Sequence, residues 1–170
     1  MKAYVLIKTS ANLDLGVLKK IQDLPMVTEV HRLFGIYDII AEIGSNHNGD
    51  MNLARVMIDS AVKCGCNAVK FQSWTPNSLI AEEEYNRNTK YIDNPRKHWG
   101  SLREMVEKYY LRNEQHRDLK EYCDTIGIDF CSTPFSTEEA DLLTALDVPF
   151  YKIASMDINN HRLLIPYHQE

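Results

Sequence analysis

From residue 39 onward the chain alternates short apolar strands with amphipathic helical stretches, and few folds tolerate that rhythm. The β-rich runs are 39–43 (IIAEI), 68–72 (AVKFQ), 128–133 within IDFCSTPF, and 150–154 within PFYKIAS. Between the first two, Leu53, Ala54, Met57, Ile58, Ala61 and Val62 recur on one helical face, and Gly65 supplies a C-terminal stop. A long loop holding Trp74, Pro76, Pro95 and Trp99 leads to helical segments near 101–110 and 113–126, the second closed by Gly127. Another helix covers about 137–146. Strands alternating with helices predict a parallel sheet wrapped by helices. A closed eight-stranded barrel needs about 200–250 residues, and four strands make half of one. The tail, INNHRLLIPYHQE, adds no further unit. The expected fold class is α/β, with half of a (β/α)8 TIM-type barrel over residues 38–170.

The first 37 residues keep a different rhythm. AYVLIK (3–8) is a β-rich run, and Asn12 can cap a helix whose Leu13, Val17, Leu18, Ile21 and Leu24 recur at helical spacing. Pro25 stops it. VTEVHRLF (27–34) and IYDIIAEIG (36–44) are strands joined at Gly35. The order β-α-β-β begins a ferredoxin-like unit, so residues 1–37 are expected to form a segment separate from 38–170. No low-complexity linker divides the two, and the change of rhythm falls inside one strand.

Composition removes several classes of function. The net charge is −5, with no Lys/Arg stripe to neutralise phosphates, which argues against nucleic acid as a partner. No apolar run approaches the roughly 20 residues of a membrane span. The N-terminus MKAYVLIKTS lacks a signal-peptide core. The expectation is a soluble cytoplasmic protein. Cys64 and Cys66 form a lone C-x-C, and Cys123 and Cys131 sit among apolar neighbours. None has zinc-ligand spacing, so all four are expected to be buried free thiols.

Side chains of a barrel strand alternate between lumen and helix layer, and chemistry gathers at the strands' C-terminal ends. In the second run Val69 and Phe71 suit the helix layer, which turns Ala68, Lys70 and Gln72 to the lumen. In the first, Ile39, Ala41 and Ile43 face out, and Ile40, Glu42 and Gly44 face in. In the third, Cys131 and Thr133 share a face. In the fourth, Tyr151 and Ile153 face out, Lys152 faces in, and Ser155 ends the strand. The result is a ring of Glu42, Lys70, Gln72, Thr133, Lys152 and Ser155. Two lysines, two hydroxyls and an amide make an anion cradle, and one glutamate beside them could orient or deprotonate a polar co-substrate. On the residues alone, a buried structural ion-pair network remains the competing explanation.

IIAEIGSNHNGD (39–50), AVKFQSW (68–74), FCSTPFS (130–136) and YKIASMDINN (151–160) resemble, in order and spacing, the successive strand motifs of the sialic acid (N-acetylneuraminate) synthase family. The resemblance covers about 38–164 and so the N-terminal half of that family's barrel. It implies an enzyme that condenses phosphoenolpyruvate with an N-acetylated amino sugar of the N-acetylmannosamine type and releases phosphate. By position it implies that Lys70, Thr133, Lys152 and Ser155 hold phosphoenolpyruvate, that Gln72 lies beside it, and that Glu42 stands near the sugar aldehyde. Asn46 and His47 fall in the first βα loop, where a structural role is preferred for His47. The family uses a divalent metal, Mn or Mg, whose histidine ligands lie on the other half of its barrel. His98, His116, His161 and His168 read as loop, helix-surface or tail residues and give no metal site here.

Residues 1–40 resemble instead the start of the effector-binding domain of leucine-responsive (Lrp/AsnC-type) regulators: AYVLIKT, a helix ending LP, V-x-E-V-H, then G-x-Y-D-I-I. The string YDIIAEI satisfies both families, which points to a chimera, natural or engineered. A ligand-binding or oligomerisation module without catalysis is therefore the alternative reading. A half barrel would carry half a site, so the chain alone is expected to be inactive. Two open parallel edges and an apolar lumen face would drive it to homo-oligomers.

Overall fold

A computed structural model describes residues 5–8, 30–33, 39–88, 100–157 and 159–164. One five-stranded sheet organises them, in the order β2-β1-β3-β4-β5. Strands β1 (Val5–Lys8), β2 (Val30–Leu33) and β3 (Ile39–Gly44) are followed by α1 (Met51–Lys63) and β4 (Ala68–Ser73). Next come α2 (Pro76–Leu79), α3 (Glu82–Arg87), α4 (Leu102–Tyr109), α5 (Asn113–Ile126), β5 (Asp129–Pro134) and α6 (Thr137–Ala145). A 3-10 turn (Ser155–Asp157) and α7 (His161–Leu164) complete the described elements.

The β3-α1-β4 and β4-α5-β5 crossovers are parallel, as the alternation predicts. Local chemistry sets their ends. Asp50 caps α1 by accepting from the Asn52 and Leu53 N–H groups at 2.8 and 3.2 Å. Ser101 and Glu104 form a reciprocal capping box on α4, and Gly127 ends α5. Ile43, Val69, Phe71 and Phe130 on the strands pack against Ala54, Ile58, Leu119, Cys123 and Leu143 on the helices. The buried stripe of α1 is narrower than its sequence suggests: Leu53 and Val62 remain 36 and 39 % exposed, while Ala54, Ile58 and Ala61 carry the contact.

Three expectations change. The fourth barrel strand is not a ladder: a single bridge joins Ser132 to Tyr151, and the Lys152 N–H donates to the Ser132 carbonyl at 3.1 Å. Second, β1 pairs directly and in parallel with β2, whereas a ferredoxin-like unit splits that pair with a third strand. Third, β1 runs antiparallel along β3, with Leu6 opposite Ile40, so that edge of β3 is covered rather than open. The expected lumen face is also closed to solvent: Ala68, Lys70, Cys131 and Thr133 are all buried. The helix expected after Asn12, the loop with Pro95, His98 and Trp99, and the tail with His168 lie outside the described residues. Among the described residues, no helix is long and apolar enough to cross a membrane.

Candidate active site

The ladder register builds the site. Glu42 lies opposite Lys70, Lys70 opposite Cys131, and Gln72 opposite Thr133, so all five belong to one face of three adjacent strands. The apolar alternates Val69, Phe71 and Phe130 occupy the other face in the helix-packed core. The Lys70 Nζ sits 2.7 Å from each Glu42 carboxylate oxygen and donates to it. Burial pushes the Glu42 carboxyl above its ordinary range and the Lys70 ammonium below its own; their mutual attraction offsets only part of that desolvation. Burial thus disfavours the charged form of each partner, and the ion pair between them works against it.

Backbone geometry aims Glu42. The β3 register shifts between Glu42 and Gly44, a bulge of the kind that re-aims a strand's side chain. Gly44 has φ +54°, and a Cβ there would lie 3.3 Å from Glu42 Oε1 and 3.6 Å from Gln72 Oε1. The missing side chain leaves room where those two oxygens converge. Thr133 is buried, and its Oγ1 has no hydrogen-bond partner among the described residues. A buried hydroxyl left unpaired costs about 1–3 kcal/mol unless something binds it.

Of the expected ring, Glu42, Lys70, Gln72 and Thr133 come together. Lys152 is exposed at the margin, near enough for its charge to act on Glu42 and Lys70. Ser155 lies on the exposed 3-10 turn rather than at a strand end. The first βα loop is tied to itself: Asn46 Nδ2 donates to the Ile43 carbonyl at 2.9 Å, and His47 Nδ1 accepts from the Gly49 N–H at 3.1 Å. His47 is buried against Phe71, and that burial, with His116 nearby, lowers its pKa to about 4. Gly49 has φ +78°, and a Cβ on it would meet the Lys108 carbonyl at 2.3 Å, so the loop rests directly on the end of α4.

The donor set does not fit a divalent metal. Among the described residues, no three His, Cys, Asp or Glu side chains gather where they could hold one. Glu42, the carboxylate in the cluster, gives both oxygens to Lys70. The four cysteines are free thiols: Cys123 and Cys131 are buried, and Cys64 and Cys66 partly so. Burial pushes Cys66 and Cys123 up to about 12 and Cys131 higher still, which removes thiolate chemistry at neutral pH.

Residues 57–169 match the NeuB family. The chain belongs to that family. Among relatives of this NeuB chain is the human N-acetylneuraminate-9-phosphate synthase, 36% identical over 126 residues, covering 72% of this chain and 33% of that protein. The N,N'-diacetyllegionaminic acid synthase of Campylobacter jejuni is 38% identical over 133 residues, 76% of this chain and 37% of the other. A crystal structure of the N-acetylneuraminic acid (sialic acid) synthetase of Leptospira borgpetersenii, in complex with citrate, superposes with a TM-score of 0.57 at 34% identity. That likeness covers 71% of this chain and 37% of that one. The NeuB chain thus spans about a third of the length of its curated relatives. The matched region contains Lys70, Gln72, Thr133, Lys152 and Ser155; Glu42, Asn46 and His47 precede it.

One cluster escaped sequence reasoning. His116, expected on a helix surface, is buried; its Nε2 lies 2.7 Å from Ser73 Oγ, which lies 2.7 Å from Ser132 Oγ. His116 Nδ1 meets the Arg112 carbonyl at 3.0 Å, so Nδ1 carries the proton and Ser73 donates to Nε2. The signal was present: His116, Leu119 and Cys123 are spaced i, i+3, i+7, and all three are buried on α5.

Proposed function

We propose that this NeuB-family chain supplies part of the active site of a phosphoenolpyruvate-dependent synthase acting on an N-acetylated amino sugar. The observation that carries the reading is the buried Lys70–Glu42 pair, flanked on one sheet face by Gln72 and the unpartnered Thr133 hydroxyl. Lys70 and Thr133 hold the anionic substrate, Lys152 adds positive potential from the margin, and Ser155 joins them only if the turn carrying it moves inward. An arriving phosphate or carboxylate competes with Glu42 for Lys70, which frees the glutamate to accept a hydrogen bond from the co-substrate. The reaction is attack by C3 of phosphoenolpyruvate on the aldehyde carbon, with the aldehyde oxygen taking a proton. Water adds at C2, and the resulting tetrahedral centre expels inorganic phosphate by C–O cleavage. Ammonium and hydroxyl donors held in a buried, pre-set arrangement stabilise the charge that develops on phosphate. No step is assigned to a metal, because the described residues do not form a site for one.

The test is phosphate release from phosphoenolpyruvate by this chain, with Mn or Mg supplied, in the presence and absence of N-acetylmannosamine. Sugar-dependent release that Glu42→Gln abolishes supports the reading directly. Without turnover, weak phosphoenolpyruvate binding by calorimetry that Thr133→Val weakens supports the placement of the anion. Absence of both would defeat it.

A second reading rests on β1. Its antiparallel pairing occupies the β3 edge that a closed parallel barrel would use, which leaves β2 at the end of the described sheet, where a second copy could pair. Sedimentation equilibrium separates the two: a monodisperse monomer removes the assembly role.

A further inference from the structure

Asn48 is the one asparagine of the chain followed by glycine. Such a pair is prone to deamidation. The glycine nitrogen attacks the side-chain carbonyl carbon of the asparagine as its own amide proton leaves, ammonia is expelled, and a succinimide ring forms. Water then opens the ring to aspartate or isoaspartate. Glycine favours the step because no Cβ obstructs the approach. Asn48 is exposed in the first βα loop, between β3 and α1, so water reaches it freely.

The loop holds the two reacting groups apart. In the succinimide, the side-chain carbon takes the place of the amide hydrogen on the glycine nitrogen, so the direction of that N–H is the line of attack. The Gly49 N–H points instead at His47 Nδ1, 3.1 Å away. The turn is fixed on either side of that bond: the Asn48 N–H donates to the Ser45 carbonyl at 3.0 Å, and the Asp50 N–H donates to the His47 carbonyl at 2.8 Å. Gly49 also rests on α4, where an added Cβ would meet the Lys108 carbonyl at 2.3 Å. Turning the Asn48–Gly49 peptide into line with the Asn48 side chain must break the His47 bond and disturb that seat. His47 cannot swing away with it, because its ring is buried against Phe71. Burial also lowers its pKa to about 4, so the neutral ring accepts the N–H but is too weak a base to draw the proton off.

We propose that Asn48 is a deamidation site that the folded loop keeps latent, with His47 as its guard. Local opening of the loop releases the Gly49 nitrogen and starts the reaction. The product has a structural consequence: isoaspartate routes the backbone through the former side chain, one methylene longer. That insertion falls between β3, which carries Glu42, and Asp50, which caps α1.

Peptide mapping by mass spectrometry follows the reaction at Asn48, at neutral pH and physiological temperature, in the folded chain and in a synthetic peptide of residues 44–53. The expected result is deamidation of the peptide and a rate in the folded chain slower by about tenfold or more, the scale of one hydrogen bond that must open first. His47→Leu, which removes the acceptor and keeps the bulk, should bring a folded chain close to the rate of the peptide. Where His47→Leu does not fold, hydrogen exchange of the Gly49 amide in the wild type decides: protection supports the guard, and exchange at the rate of the free peptide overturns it. A peptide that does not react at Asn48 overturns the site itself. A folded wild type that reacts as fast as the peptide, or a folded His47→Leu chain that stays as slow as wild type, overturns the protection.

Discussion

The two faces of β4 and β5 both carry polar residues and use them in opposite ways. On the helix face, Ser73, Ser132 and His116 are fully buried, and every member has a partner down to the Arg112 carbonyl. On the opposite face, Lys70 and Glu42 neutralise each other under strong desolvation, Gln72 lies beside the Gly44 gap, and Thr133 is left unpaired. Polarity in a buried strand therefore does not distinguish chemistry from architecture. Satisfaction is where they differ: the histidine network closes on itself, whereas the other face keeps an orphaned hydroxyl beside a desolvated ion pair.

The largest effect should come from splitting the ion pair. Lys70→Ala leaves Glu42 buried without a counter-charge and should lower stability by about 3–5 kcal/mol in urea unfolding. The double change Glu42→Leu with Lys70→Met should recover most of that while removing any phosphoenolpyruvate binding. A double variant that still binds would show the pair to be architecture, like the histidine network.

Acid should stress the loop and the helix face. His47 titrates near pH 4 in the folded chain and near 6.5 unfolded, so the unfolded state takes the proton first. Its contribution is intact above about pH 6.5 and is lost as pH falls towards 4, to a total of about 3 kcal/mol. The buried His116, also lowered, acts in the same direction. Glu42, raised by burial, acts oppositely, because the folded state holds its proton more readily. Urea midpoints between pH 4 and 7 for the wild type and His47→Gln isolate the histidine term; parallel curves would remove it.

Breaking the closed network should cost less. Ser73→Ala removes the hydroxyl that joins His116 Nε2 to Ser132 Oγ and should destabilise by about 1–3 kcal/mol in total. Phosphoenolpyruvate affinity should not change. The smallest effect on stability belongs to Thr133→Val, which deletes a hydroxyl already without a partner. Its unfolding free energy should stay within about 0.5 kcal/mol of wild type or rise slightly, while ligand affinity falls in calorimetry. Equal stability losses in Ser73→Ala and Thr133→Val would erase the contrast between the faces.

Much of this was legible in the sequence, for a definite reason. The period-two pattern of AVKFQ assigned Lys70 and Gln72 to one face and Val69 and Phe71 to the other, and the register agrees. Alternation is a property of each strand alone. Whether a strand finds a ladder is not: YKIAS has a strand's pattern, yet only Tyr151 bridges, because pairing depends on a neighbour supplied from far along the chain. The same limit hid the covering of β3 by β1. Burial of His116 was missed because residue type was weighed above helical position; it shares a buried face with Leu119 and Cys123 on its helix. The Gly44 bulge left little sequence trace, since one glycine serves many kinds of turn.

The antiparallel contact of β1 with β3 also bears on how the chain assembles while it is being made. Strand β1 can meet β2 and β3 as soon as β3 has been synthesised, before β4 exists. From that moment one edge of β3 is paired at Ile39 and Ile40, which narrows its opportunities for mispairing with a neighbouring nascent chain. The sheet then grows in a single direction, β4 adding to β3 and β5 to β4, with each crossover helix closing over the strand just laid down.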